Sequence, residues 1–340
     1  MSQIRVAACH LSPIVFSARA TTDKCIAAIK TAAKNATGLV VFPESFIPAF
    51  PVWSALQAPT DNHDFFRLMT SESVVVSNGK YVDAIREEAK KNGIMVSLGI
   101  SERLSSRDGT LYNSNLLIGA DGGILAHHRK LVPTFFEKLT WAPGDGAGLV
   151  VPQTPFGRIG ALICGENTNP LARFSLMEQG EQVHISTFPP IWPTRVPSTS
   201  ASSGKNYDNV AANRTRAAGH CFEAKCFGLV CSGYLDNASI EKISSMSTDQ
   251  AFMRDALAGS PRAATFFLDP TGAAKNGYTV DNRTGEQKVV EYLRDTENVL
   301  YADLDLNETI EGKQYHDVAG GYQRFDVFKF EVNRSRRIGT

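Results

Sequence analysis

The chain has 340 residues, 43% of them hydrophobic, and its 35 basic and 35 acidic side chains give a formal net charge of zero. That balance excludes a protein that gathers nucleic acid or an anionic membrane by bulk charge, and it points to a small, uncharged substrate. No run of about 18 apolar residues occurs and no long apolar stretch opens the chain, so neither a membrane span nor a secretory leader is expected, and the cytoplasm is the expected compartment.

The first strand is expected over Ile4 to Ala8, followed by a helix over Thr22 to Lys34 that carries Ile26, Ile29 and Ala33 on one face. Leu39 to Phe42 is a short β-branched and aromatic run that stops at Pro43 and delivers the carboxylate of Glu44. A second helix, Tyr81 to Gly93, places Val82, Ile85 and Ala89 on one face and finishes on Lys90, Lys91 and a glycine stop. After a strand over Met95 to Ile100, the segment Leu111 to Lys130 reads as a hairpin. Its arms are Asn113 to Leu117 and Ile124 to His128, it turns at Asp121-Gly122-Gly123, and it ends in an amine, Lys130. Pro143-Gly-Asp-Gly-Ala-Gly148 matches neither phosphate-binding glycine spacing and reads as a turn.

Strands then follow at Ile159 to Cys164, Val183 to Thr187, Phe227 to Ser232, Ala264 to Leu268 and Val299 to Asp303. The polar stretches 198–204 and 238–254 read as loops or surface insertions. Alternating strands and helices without a dividing linker indicate one α/β domain over residues 1–306, with a tail over 307–340. Six cysteines are too sparse for a disulfide scaffold. Cys221, Cys226 and Cys231, near His220, lack the paired short spacings of structural zinc, so no metal and no cofactor is expected.

Cys164 is the most informative position. It ends the apolar run Gly157-Arg-Ile-Gly-Ala-Leu-Ile-Cys164 and is followed at once by Gly165-Glu-Asn-Thr-Asn-Pro170. A strand holds such a thiol still while the turn beyond it offers backbone N–H donors. An acid, an amine and a thiol thus each close a separate apolar strand; singly, each has an ordinary structural explanation. Together with their neighbours they resemble the carbon–nitrogen hydrolases of the nitrilase superfamily. The matching pieces are Phe42-Pro-Glu-Ser-Phe46, His128-Arg-Lys-Leu-Val-Pro-Thr134 with Glu137, Trp141-Ala-Pro-Gly-Asp-Gly146 and Ile163-Cys-Gly-Glu-Asn-Thr-Asn-Pro-Leu-Ala-Arg173. Cys164-x-Glu166, Pro170 to Arg173 and Gly180-Glu-Gln-Val-His-Ile-Ser186 are similar to the true nitrilase branch, and the resemblance runs from about Ile4 to about Arg324.

The resemblance implies a four-layer αββα sandwich and hydrolysis of a small-molecule nitrile to acid and ammonia. In that scheme Cys164 is the nucleophile, Glu44 the base, Lys130 the stabiliser of charge on nitrogen, and Glu137 a second glutamate that positions Lys130 and the substrate. It also implies a homo-oligomer, a dimer or larger with spiral filaments in this branch, to which the tail contributes. Many nitrilases carry Trp directly after the nucleophile, whereas this chain has Gly165, which removes an indole from beside the thiol. With Trp53, Phe135, Phe136, Phe188 and Trp192 near the triad strands, Gly165 leads to the expectation of a roomy aromatic pocket and of aryl or arylalkyl nitriles. A cyanide hydratase, which shares the triad and releases formamide, stays open as an alternative. So does a non-catalytic filament-forming member, which the complete triad disfavours.

Overall fold

The computed structural model describes residues 3–195 and 208–336. Fifteen strands and eight α-helices are assigned among them. The strands are β1 (Gln3–His10), β2 (Leu39–Val41), β3 (Met95–Leu104), β4 (Arg107–Ile118), β5 (Ile124–Arg129), β6 (Gln153–Thr154), β7 (Gly157–Ile163), β8 (Val183–Phe188), β9 (Phe227–Ser232), β10 (Thr265–Leu268), β11 (Ala274–Lys275), β12 (Gly277–Val280), β13 (Gln287–Val290), β14 (Tyr292–Leu293) and β15 (Asn298–Asp305). The helices are α1 (Ala18–Lys34), α2 (His63–Glu72), α3 (Lys80–Asn92), α4 (Pro170–Met177), α5 (Asn209–Ala224), α6 (Asn237–Ser244), α7 (Gln250–Gly259) and α8 (Glu308–Glu311).

Two mixed sheets result. One runs β13-β12-β15-β1-β2-β3-β4-β5, the other β11-β10-β9-β8-β7-β6 with β14 on β10. Period-two alternation decides which side chains meet between them. Along β1, Val6 and Ala8 face the second sheet and join Val41, Ile159, Val183, Leu229 and Phe267 in one buried layer. Their neighbours Ala7 and Cys9 point the other way, onto Cys25, Ile29 and Ala32 of α1 and Val82, Ile85 and Ala89 of α3. On the far side, α5 covers the second sheet with Ala217, Cys221 and Ala224 against Val230, Phe266 and Leu268. The expected helix–sheet–sheet–helix order is what the chain forms.

The helix ends follow their local chemistry. Ser17 accepts from the Ala20 N–H at the start of α1, and Gly93 closes α3 in the left-handed region at φ 61°. Pro143 to Gly148 is a turn, as expected, ending in one 3-10 turn that Asp145 caps at the Ala147 N–H. The stretch 238–254 is a correction: it holds α6 and the first half of α7 instead of a loop. Asp236 and Asp249 cap these helices, and Ile240, Ile243, Met253, Ala256 and Leu257 are buried at helical spacing inside a polar composition. The short strands between Ala274 and Leu293 also escaped the sequence reading, because they are two to four residues long, mostly half-buried or exposed, and lack apolar alternation. The expected loop at 198–204 lies outside the described residues.

Beyond β15 the tail packs along its own chain. His316 lies against Phe222, Phe325 and Phe330 meet Phe174 edge-on, and Arg336 pairs with Asp145 at 3.2 Å. No helix among the described residues is long and apolar enough to cross a membrane.

Leu229 is fully buried between the two sheets. Leu229→Ala is therefore expected to cost about 2–5 kcal/mol through lost burial and a residual cavity, measured as a lowered midpoint in urea with an unchanged slope.

Candidate active site

The sandwich brings three strand ends to one place. β2 leads through Pro43 into Glu44, β5 leads into Lys130, and β7 stops at Ile163 so that Cys164 begins a 3-10 turn. Cys164 has φ 53°, a left-handed conformation that an L-residue adopts only under constraint. The strain turns the chain sharply just after a rigid strand, which sets the thiol at the tip of the turn.

Lys130 is the centre of the cluster. Its Nζ donates to Glu44 Oε1 at 2.9 Å and to Glu137 Oε2 at 2.6 Å, and all three side chains are completely buried. Glu44, Glu137 and Cys164 have donor atoms within 4.8 Å of one another. Glu44 also accepts from Asn113 Nδ2 at 2.7 Å, while its second oxygen, Oε2, is buried without a hydrogen-bond partner. Glu137 Oε2 accepts from the Thr134 N–H, and Glu137 Oε1 accepts from Trp192 Nε1 at 3.3 Å. Glu137 is thus a buried partner of Lys130 and not a surface acid.

Burial sets the protonation of the group. Desolvation, with Glu137 adding to it, pushes the Glu44 carboxyl up to about 7 against the opposing pull of Lys130. Desolvation and Glu44 push the Cys164 thiol well above its ordinary range, with Lys130 working against them. Lys130 is held well above its usual value despite its burial, because Cys164, Glu137 and Glu44 surround it. The resting arrangement is a neutral thiol beside an acid that titrates near neutrality and an ammonium that stays charged.

Two residues that the sequence reading did not assign hold this geometry. Asn113 sits in β4 within the buried polar run Asn113-Ser114-Asn115, an interruption of apolar alternation that is the sequence signal for it. Glu166 accepts from the Leu131 N–H at 2.6 Å, from the Ile163 N–H at 2.9 Å and from His128 Nε2 at 2.9 Å. One carboxylate therefore staples the residue after Lys130 to the residue before Cys164.

The expected pocket residues separate into two groups. Phe136 and Trp192 stack at 5.4 Å beside Glu137, with Phe135 edge-on to both, and Phe188 shares a buried cluster with Cys164. Trp53 instead stacks on Phe65 at 5.1 Å and tilts against Phe16 at 5.0 Å. Gly165 lies against the loop after Lys130. A Cβ there would meet Thr134 Oγ1 at 2.7 Å, so the glycine makes room for the loop after Lys130.

Two clusters of potential metal donors occur among the described residues. In the triad cluster the Lys130 ammonium already bonds both carboxylates. A second cluster, Glu181, His220 and Cys226, has its carboxylate and imidazole in a 2.6 Å hydrogen bond, too close for an ion between them. Cys231 is turned away, toward the layer between the sheets.

The chain is similar to known carbon–nitrogen hydrolases along nearly its whole length. A family model described as carbon–nitrogen hydrolase matches residues 5–314. A nitrilase of Paraburkholderia phymatum is 34% identical over 97% of this chain and 86% of its own length. A nitrilase of Penicillium rubens is 30% identical over 97% and 93%. Among solved structures, Saccharomyces cerevisiae Nit3, a member of branch 10 of the nitrilase superfamily, superposes with a TM-score of 0.66 at 19% identity, covering 96% of this chain and 97% of its own.

The raised Glu44 value carries a stability consequence. Its folded-state value of about 7 exceeds the ordinary 4.5, so the folded protein gains from protonated Glu44 below about pH 4.5 and loses that gain as pH rises to about 7. Denaturant titrations of wild type and Glu44→Gln should show wild type losing stability relative to the variant across that window and tracking it above.

Proposed function

Because this chain belongs to the carbon–nitrogen hydrolase family and is a nitrile-hydrolysing enzyme, we propose that it converts an organic nitrile to the carboxylic acid and ammonia through a covalent intermediate on Cys164. The observation that carries this reading is the buried Lys130 ammonium shared by Glu44 and Glu137 beside the thiol.

The unpartnered Oε2 of Glu44 makes Glu44 the base for the thiol proton. The sulfur adds to the nitrile carbon, one π bond moves onto nitrogen, and Lys130 and the N–H groups after Cys164 meet the negative charge as nitrogen is protonated. The product of this step is a thioimidate. Water activated by Glu44 adds to it, and the tetrahedral adduct expels ammonia to leave a thioester. A second water then releases the acid and restores the thiol, so that one nitrile and two waters give one acid and one ammonia. Departure of the thiol from the first adduct would give the amide instead. A cavity of about 20 Å³ that touches Glu44, Phe50 and Pro190 has the room one water needs.

Phe135, Phe136 and Trp192 beside Glu137 support aryl or arylalkyl nitriles as the preferred class. Together the three rings give an apolar, aromatic lining suited to an aromatic substrate. The tail, with Tyr322, Val327 and Phe328 exposed, supports a homo-oligomer larger than a dimer, because these rings and branched chains would be covered by another protomer.

Cys164→Ala is expected to abolish turnover and Cys164→Ser to leave a trace, since a hydroxyl ionises far less than a thiol. Mass spectrometry of products from benzonitrile, phenylacetonitrile, a short aliphatic nitrile and cyanide tests the scheme. Acid from the aryl substrates, and a substrate adduct on Cys164, is the expected result. Formamide from cyanide as the dominant product would replace it with a hydratase.

Light scattering is expected to show particles larger than a dimer, and truncation after Gly312 to reduce their size. Full activity as a monomer at nanomolar concentration would remove the assembly from the proposal.

A further inference from the structure

Behind the nucleophile lies a buried polar chain that the scheme above does not use. Asn167, in the 3-10 turn that Cys164 begins, donates from Nδ2 to the carbonyl of Cys164 at 3.0 Å and to that of Leu162 at 3.3 Å. Its Oδ1 meets Ser186 Oγ at 3.0 Å and His184 Nε2 at 2.8 Å. The opposite ring nitrogen of His184, Nδ1, lies 2.9 Å from Glu181 Oε1, and Glu181 Oε2 lies 2.6 Å from His220 Nε2. Every one of these side chains is at most 4% exposed. The four elements involved are the nucleophile turn, the residues leading into β8, β8 itself and α5.

Hydrogen-bond bookkeeping fixes the protons. A flipped Asn167 amide would set its oxygen against two carbonyl oxygens, so Oδ1 must be the atom that faces His184. Nε2 of His184 therefore donates. Nδ1 of the same ring faces a carboxylate oxygen. Although burial alone would raise it, His184 and the hydrogen bonds from both rings hold the Glu181 carboxyl below its usual range, so Oε1 is the acceptor and Nδ1 the donor. Both ring nitrogens of His184 thus face acceptors.

The surroundings agree. The His184 and His220 rings stack with centroids 3.6 Å apart, a spacing that opposes a second positive ring, and His220 Nδ1 has no hydrogen-bond partner. The other titratable groups here are Cys226 and Cys221; burial pushes the Cys226 thiol well above its ordinary range, so it adds no charge. Glu181 has a place made for it: a Cβ at Gly160 on β7 would fall 2.1 Å from its Oε1.

We propose that His184, as an imidazolium paired with Glu181, is a positioning residue for the hydrolysis, locking Asn167 in the orientation that grips the carbonyls of Leu162 and Cys164. The peptide after Cys164 is planar and trans, so holding its carbonyl on one side holds the Gly165 N–H toward the other. That N–H is the first donor after the thiol, and its direction decides whether it can meet charge developing on the substrate. The inference rests on Cys164 being the nucleophile.

The test uses the full-length enzyme. Nitrogen-15 NMR of histidine-labelled protein near neutral pH should show, among its seven histidines, one ring with both nitrogens protonated, assigned by its loss in His184→Gln and converted to a neutral ring in Glu181→Gln. His184→Leu should lower kcat at least about tenfold with KM within about threefold, since small misplacements of catalytic groups are costly. His184→Gln, which keeps a donor toward Asn167, should recover part of the loss. A neutral His184 ring in the wild-type spectrum overturns the proposal, and so does a folded His184→Leu enzyme with wild-type kcat. If Cys164→Ala retains turnover, the nucleophile reading fails whatever the spectrum shows; if Cys164→Ala is dead and the ring is neutral, this proposal alone fails.

Discussion

The structure depends on an ammonium ion with no access to water. Lys130 is buried completely between Glu44 and Glu137, and neither carboxylate reaches solvent. Taking three charges out of water costs several kcal/mol per ion, and removing one partner from such a group typically costs about 3–5 kcal/mol because a buried charge is left uncompensated. The arrangement persists because rigid strands deliver its members and further donors finish it: Asn113 on Glu44, the Thr134 N–H and Trp192 on Glu137. One excess negative charge remains in the cluster when both acids are ionised, and this is why burial lifts Glu44 into the range where it can take a proton from a thiol.

The sandwich core makes that delivery dependable. β1 pairs in parallel with β2, and β2 in parallel with β3, so the ends of these strands are fixed by register before any side chain of the site is placed. β7 does the same for Cys164 through its parallel pairing with β8. What remains is the turn itself. A left-handed Cys164 costs of order 1–3 kcal/mol, and the carboxylate of Glu166 offsets it with bonds to Ile163 and Leu131. Asn167 holds the same turn from the other side. Strain, staple and clamp are parts of one device that sets the thiol at a fixed distance from the amine.

Above the Lys130 cluster, aromatic residues fall into two groups. Trp53, Phe65 and Phe16 pack as a block with Leu257 and Met253 from the helices in the 238–254 region and beyond. Phe136 and Trp192 lie over Glu137, and Phe135 is 67% exposed at φ 50°. Under the proposed function, a strained, exposed ring so placed would be a natural determinant of substrate specificity.

The sequence by itself determined much of this protein. Apolar runs ending in Glu44, Lys130 and Cys164 marked the strand ends, period two placed the core strands, and the motifs around them identified the family. These are local signals, written in a few adjacent residues. Glu137 was legible only by resemblance, since nothing in Pro133 to Glu137 says that its carboxylate turns inward. Asn113, Glu166 and the Glu181–His184–Asn167 chain were decided by tertiary structure, because each acts on partners brought close by sheet pairing and not by sequence. The same holds for Trp53, which an aromatic count cannot distinguish from a pocket wall, and for Gly165, whose missing side chain serves Thr134. A residue type announces what chemistry it can do; only the packed strands decide which atom it faces, and burial then decides which proton it holds.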